Sequence, residues 1–276
     1  MVILSRRPEA VEGLPAGARA TRWDGKTADG WSDLAEGARA IVHLAGESIG
    51  GGRWTRERKR RIRTSRVRSG EAVAEAIARA RAKPEVLLQA SAVGYYGPGG
   101  SDELTAWAPP GDDFLARTCV AWEGSTERVE AMGVRRPVLR TGVVLSAAGG
   151  ALAKMLPVFR LGLGGPLGSG AQYFPWIHIA DEAAAIRFLM EDDHASGPYN
   201  LTAPDPVTNR EFTRALGRAL HRPAILKAPA AALRLLLGEM ASVLLDGQRA
   251  VPRRLQERHF SFRFTAIEPA LRDLLG

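Results

Sequence analysis

Short apolar runs alternate with longer stretches of mixed polarity through the first half of this chain. Val2–Ser5 (VILS), Ala40–Leu44 (AIVHL), Val86–Ala90 (VLLQA) and Pro137–Leu145 (PVLRTGVVL) are too short for helices. They are also almost continuously apolar, as strands covered on both faces are. From about Trp54 to Ala82 the pattern changes to a helical one. Ile62, Val67, Val73 and Ile77 recur at about one to one and a half turns, and Pro84 ends the run. Asp112–Met132 reads as a second helix stopped by Gly133. The polar segment holding Trp23 and Trp31 reads as a short strand and a short helix. Strands alternating with helices at this spacing predict an α/β fold with a parallel, doubly wound sheet.

Beyond residue 150 the texture differs. Gly162–Gly170 (GLGGPLGSG) predicts a long loop. Thr208-x-x-Glu211 and Thr265-x-x-Glu268 each read as a capping box, which satisfies free amides at a helix start. Ala228–Leu245 is apolar and helical in pattern. The expected organisation is therefore a sheet domain over residues 1–150 and a smaller, mostly helical substrate lobe over 151–276.

Composition narrows the possibilities. With 276 residues, 45% hydrophobic and 25% charged, the chain can bury a sizeable core without disulfides or metal. It has no apolar run long enough to span a membrane and no secretory leader pattern in its first residues, so no membrane partner is expected. Its single cysteine, Cys119, excludes an internal disulfide or a cysteine-based zinc site; the expected compartment is the reducing cytoplasm, and no metal is expected. The formal net charge of +8 is concentrated in Arg53–Arg68, which holds nine basic residues and one acid. Such a patch pairs readily with phosphates, whether of a bound cofactor or of a nucleic acid. Trp54 is its one aromatic residue and no nucleic-acid motif accompanies it, which places nucleic acid last among the candidate partners.

Several segments together are similar to one family: LSRRP (4–8), HLAGESI (43–49), SAVGYYG (91–97), RTGVVL (140–145), PWIHIAD (175–181) and PVTNREF (206–212). The chain resembles, over nearly its whole length, the atypical extended short-chain dehydrogenase/reductases known as epimerase family proteins. The resemblance implies a Rossmann-like NAD(P)-binding domain and a small C-terminal lobe of unknown function. It implies that Ser5 and Arg6 stand at the strand end that meets the adenosine ribose. An arginine there, with no Asp or Glu, suits the 2′-phosphate of NADP. Leu44, Ala45 and Gly46 end the next strand beside the cofactor. Arg60 and Arg66 are expected near its phosphates, and Val144 is a further expected cofactor contact. Ser91 matches the strand-end hydroxyl that polarises a substrate carbonyl, with Tyr96 as its expected catalytic partner.

Two departures qualify the resemblance. No tyrosine has lysine four residues later, and Phe114 and Thr118 occupy the places where that dyad belongs. Without it, proton transfer has no ready source at neutral pH. An oxidoreductase or epimerase of unknown small-molecule substrate and a non-catalytic NADP-binding sensor or scaffold both remain open. The second departure is that VILSRRP reads as the second strand of such a fold, with no strand and Gly-rich turn before it. That unit supplies backbone amides to the pyrophosphate. Residues 1–276 are expected to leave an open lane at the sheet centre and to bind NADP weakly, and a further βα unit of roughly 20–25 residues encoded upstream is expected to fill it.

Overall fold

A computed structural model describes all 276 residues. The strands are β1 (Val2–Ser5), β2 (Arg19–Arg22), β3 (Ala40–His43), β4 (Val86–Ala92), β5 (Glu103–Leu104), β6 (Pro137–Thr141), β7 (Val143–Ser146), β8 (Tyr173–Phe174), β9 (Trp176–His178), β10 (Gly197–Leu201), β11 (Val207–Thr208) and β12 (Arg249–Ala250). The helices are α1 (Arg56–Arg79), α2 (Phe114–Gly124), α3 (Gly150–Arg160), α4 (Ile179–Glu191), α5 (Asn209–Ala219), α6 (Ala230–Leu237), α7 (Ser242–Leu245), α8 (Arg253–Glu257) and α9 (Ile267–Leu275).

The main sheet is parallel, in the order β10-β6-β4-β3. Burial follows the expectation from sequence: the first six residues of β4 and the first four of β6 are buried. Helix α1 is capped by Thr55, whose hydroxyl accepts from the Arg58 amide, and packs Val73 and Ile77 with Leu87 of the sheet. The chain is thus an α/β protein with a Rossmann-like parallel sheet. No helix is long and apolar enough to cross a membrane.

Strands β1 and β2 pair in parallel with each other and form a separate two-stranded sheet. No backbone hydrogen bond joins β1 to β3, so each leaves one edge open. Side chains bridge the two pieces instead: Leu4 and Ile41 pack against the same buried cluster, which includes Trp23, Trp31, Val73, Ile77 and Leu87. Trp23 and Trp31 meet edge to face at 5.4 Å, and both indoles donate to the Thr27 carbonyl.

Four details differ from the sequence pattern. Pro137–Leu145 is two strands, because the chain bends at Gly142. A side chain there would meet the Pro175 carbonyl at 2.6 Å, and after the bend β7 pairs with β9. The long second helix breaks after Gly124 into a 3₁₀ turn over Glu127–Met132. Thr208 and Glu211 form their capping box, but Thr265 does not cap: α9 begins after Ala266, and Glu268 pairs with Arg218. Finally, residues 151–276 contribute to both layers of the molecule. β10 extends the main sheet beside β6, while α3, α5 and α9 enclose a second core around Phe159, Trp176, Phe212 and Leu271. The carboxyl of Asp181 ties the two together by accepting from the amides of Arg263 and Phe264.

Candidate functional site

A cavity of about 220 Å³ opens where strands β4 and β6 end and the chain after residue 165 folds back over them. Such strand-end crevices are where open α/β sheets bind ligands. Its floor is Ala92, Val93 and Gly94 after β4, with Thr141, Gly142 and Val143 at the β6 bend. Thr118, Cys119 and Trp122 of α2 form one wall, and Met155, Leu167, Tyr173 and Phe174 form another. Charged and amide groups in the lining are Arg66, Asp113, Gln172, Asn209, Asp246 and Gln248, with the hydroxyl residues Thr118, Thr141 and Ser242 among them.

Arg66 enters this cavity from α1. Its guanidinium lies 5.0 Å over the Trp122 ring and donates to the backbone carbonyls of Glu47 and Ile62, with no carboxylate in salt-bridge contact. Burial lowers its pKa, offset in part by Cys119 and Glu47. Gly46 makes the placement possible: a Cβ there would lie 3.1 Å from the Arg66 side chain. At the other end, burial raises the Asp246 carboxyl above its ordinary value, Arg234 opposes, and Asp113 adds to the rise. The Cys119 thiol is buried and pushed up to about 12, chiefly by burial, so it stays protonated.

The structure separates the residues that the sequence grouped. Arg66 reaches the cavity; Arg60 lies on the exposed side of α1 in an ion pair with Glu57. The two are six residues apart, about 600° around a helix, which cannot bring both to one face. Other charges of the basic stretch are also paired, Arg58 and Arg61 with Glu47 and Lys59 with Glu239. Ser5 accepts from the Arg7 amide, and Arg6 is exposed at the end of β1. Leu44 is exposed and Ala45 half-buried. Val144 packs into the core beneath the sheet, while Val143, on the opposite face of β7, lines the cavity.

Ser91 and Tyr96 sit behind the cavity floor in a buried network. The Ser91 hydroxyl donates to Glu123 Oε1 at 2.6 Å. Arg140 grips the same carboxylate with two bonds, Nε to Oε1 at 2.9 Å and Nη2 to Oε2 at 3.0 Å. Its Nη1 donates to Tyr96 and to the Ala106 carbonyl, and the Tyr96 hydroxyl donates to Asn200 Oδ1 at 2.5 Å. Burial raises the Tyr96 pKa against the opposing effect of Arg140. Thr118 lines the cavity, but its hydroxyl donates to the Phe114 carbonyl. Phe114 stacks edge to face on Trp54. His178 caps α4, its Nδ1 accepting from Ala180 while its Nε2 lies 3.3 Å from Asp273.

The sequence reading passed over Thr141 and Glu182. Thr141 lines the cavity, its Oγ1 lies 2.9 Å from Glu182 Oε1, and Glu182 Oε2 is buried with no partner. Burial pushes the Glu182 carboxyl up to about 7, opposed by the Thr141 hydrogen bond. Its sequence context gave no signal, since an acid in a first helical turn is ordinary.

A parallel sheet ending in a strand-end cavity places the chain in the dinucleotide-fold class of α/β proteins. Residues 2–202 match the model of the NAD dependent epimerase/dehydratase family, and residues 228–274 match a domain of unknown function, DUF1731. The epimerase family protein Mb2239 of Mycobacterium bovis is 41% identical over 262 residues, covering 95% of this chain and 86% of that protein. The chloroplastic SDR39U1 homolog of Arabidopsis thaliana is 41% identical over 247 residues, 89% of this chain and 71% of that protein. Among solved structures, human epimerase family protein SDR39U1 (isoform 2), crystallised with NADPH, superposes with a TM-score of 0.86 at 34% identity over 99% of this chain and 90% of that one. The chain belongs to the NAD dependent epimerase/dehydratase family.

Proposed function

We propose that this chain is an NADPH-binding oxidoreductase or epimerase of the short-chain dehydrogenase type, acting on a small molecule without a Tyr-x-x-x-Lys dyad. The observation that carries the reading is the strand-end cavity with Arg66 in its wall, a largely buried cation with no carboxylate partner. A cation so placed favours an anionic or strongly polar ligand group. The human relative solved with NADPH supports the choice of cofactor. Arg66, Ala45 and Gly46 would hold the cofactor at its phosphates and ribose. The β6 bend at Thr141–Val143 would face the ring, and Arg6 would meet a 2′-phosphate. When bound, the nicotinamide supplies or accepts a hydride. The apolar lining excludes water from that exchange.

Ser91 and Tyr96 act in this reading as a brace. Their hydroxyls are committed to Glu123 and Asn200, and that network fixes β4, β6 and β10 beneath the floor. The runner-up, a non-catalytic NADPH-binding module, draws on the Thr118 hydroxyl being spent on the Phe114 carbonyl. Single-turnover oxidation of NADPH across a series of carbonyl compounds separates the two.

The experiment for the leading reading is a fluorescence titration with NADPH and with NADH. The titration runs from micromolar to millimolar ligand. Arg66→Met should weaken NADPH by about ten- to hundredfold, and Arg6→Ala should erase the preference over NADH, each losing a charged hydrogen bond of about 1.5–3 kcal/mol. Absence of saturable NADPH binding at millimolar concentration would refute the reading.

A further inference from the structure

We propose that Glu182 is the proton store of the cavity and that the Thr141 hydroxyl carries its proton to an oxygen atom bound there. The inference rests on the functional reading for what the oxygen belongs to; the proton store itself rests on geometry. Thr141 is the link between the two compartments, because it lines the cavity and lies 2.9 Å from Glu182 Oε1. Glu182 is 92% buried below it on α4, since its relative exposure is 8%. Its other oxygen, Oε2, accepts nothing. A carboxylate buried with a single donor is poorly solvated, so the neutral acid is the favoured form.

The surrounding charges are engaged elsewhere. On α4, Asp181 accepts from two amides; His178, at the α4 N-cap and the end of β9, faces Asp273. On β6, Arg140 is held by Glu123. Only burial and Thr141 act on Glu182, and together they leave it titrating at about 7. This is where a proton donor at neutral pH is most effective.

The step is a double proton transfer. In the acid form, the Oε1–H of Glu182 donates to Thr141 Oγ1, which frees the Thr141 hydroxyl to donate into the cavity. When a bound carbonyl oxygen gains charge as hydride reaches its carbon, the Thr141 O–H bond breaks and the proton joins that oxygen. The Glu182 O–H bond then breaks and its proton replaces the one lost. The products are a ligand hydroxyl, an intact Thr141 and a Glu182 carboxylate that accepts from Thr141. Two O–H bonds break and two form; the hydride would come from the NADPH of the functional reading, which leaves as NADP+. The relay supplies the proton that the missing tyrosine–lysine dyad leaves unaccounted for.

The first test reads Glu182 without any activity. In the chain labelled with ¹³C at the glutamate carboxyls, one resonance should titrate near pH 7 and vanish in Glu182→Gln, with thermal unfolding confirming that the variant folds. Thr141→Val should move that midpoint upward, because it removes the only donor, whereas Thr141→Ser should leave it in place. A Glu182 midpoint in the ordinary carboxylate range, or one indifferent to Thr141→Val, overturns the proposal. The second test is single-turnover oxidation of NADPH by 4-nitrobenzaldehyde from pH 5.5 to 9. The rate should fall about tenfold per pH unit above the midpoint and be slow and flat in Glu182→Gln, with Thr141→Val equally slow. An unchanged pH profile in Glu182→Gln also overturns it. A chain that shows the raised midpoint yet fails to bind NADPH refutes the functional reading and supports the proton store.

Discussion

Glu123, half-buried, and Glu182, buried, both place a carboxylate on strand β6, and they reach consecutive residues of it. Arg140 and Thr141 point to opposite faces of the sheet. On one face Arg140 meets Glu123 from α2 with two short bonds, and Ser91 adds a third. On the other face Thr141 offers Glu182 one hydroxyl and nothing else does. The carboxylate that meets a buried guanidinium is tied into the frame. One with a lone hydroxyl holds a proton and remains available for chemistry. The residues that family resemblance marks for catalysis, Ser91 and Tyr96, lie in the frame.

The largest effect that could break this comparison is expected from Glu123→Ala. It strands the Arg140 guanidinium, which is 5% exposed, and should cost about 3–5 kcal/mol in urea unfolding. A loss under about 1 kcal/mol would mean that Arg140 finds water and that the network is no frame.

Next in size is the pH dependence of stability due to Glu182. Its folded value is raised from 4.5 to about 7, so between those values the folded chain keeps a proton that the unfolded chain has released. Stability must therefore fall as pH rises through that window, by about 3 kcal/mol in all. Glu182→Gln removes this slope, and comparing the two chains in urea at pH 5 and pH 8 isolates it. His43 works in the opposite sense over part of the same range. Burial lowers it from 6.5 to about 4, opposed by the Gln89 hydrogen bond, so its contribution is present above pH 6.5 and lost as pH falls toward 4. The variant comparison cancels that background.

A smaller effect is expected from Tyr96→Phe, which deletes the bond to Asn200 and one from Arg140. The cost should be about 1–2 kcal/mol of stability with NADPH affinity unchanged. A change in affinity larger than in stability would bring Tyr96 back to the cavity. The smallest effect is Arg60→Ala. With Arg60 paired to Glu57 on the solvent side, NADPH affinity should stay within twofold of the unsubstituted chain, and a clear loss would show that the phosphates lie over that face.

How much of this could be read beforehand varies by element. Three of the four apolar runs and α1 were legible because burial leaves little freedom in composition, and they are strands and a helix where the pattern places them; Pro137–Leu145 bends into two strands. Strands β1 and β3 lie in separate sheets that do not pair with each other. Arg66 and Arg60 read as one site in the sequence, and the fold places Arg66 at the cavity and Arg60 on the exposed side of α1. Glu182 could not be found, because a first-turn acid looks the same whether it faces water or the underside of a cavity.

The sequence by itself determined the class of fold and the parallel sense of its main sheet. These follow from local pattern and residue identity, and local patterns survive without knowledge of what lies across the sheet. The tertiary structure alone decided which charges are paired. Glu123 finds Arg140 across 17 residues, Glu182 finds Thr141 across 41, and Arg66 finds no carboxylate. Whether a buried group keeps its charge depends on the donors within about 3 Å, and those are set by packing between elements distant in the chain.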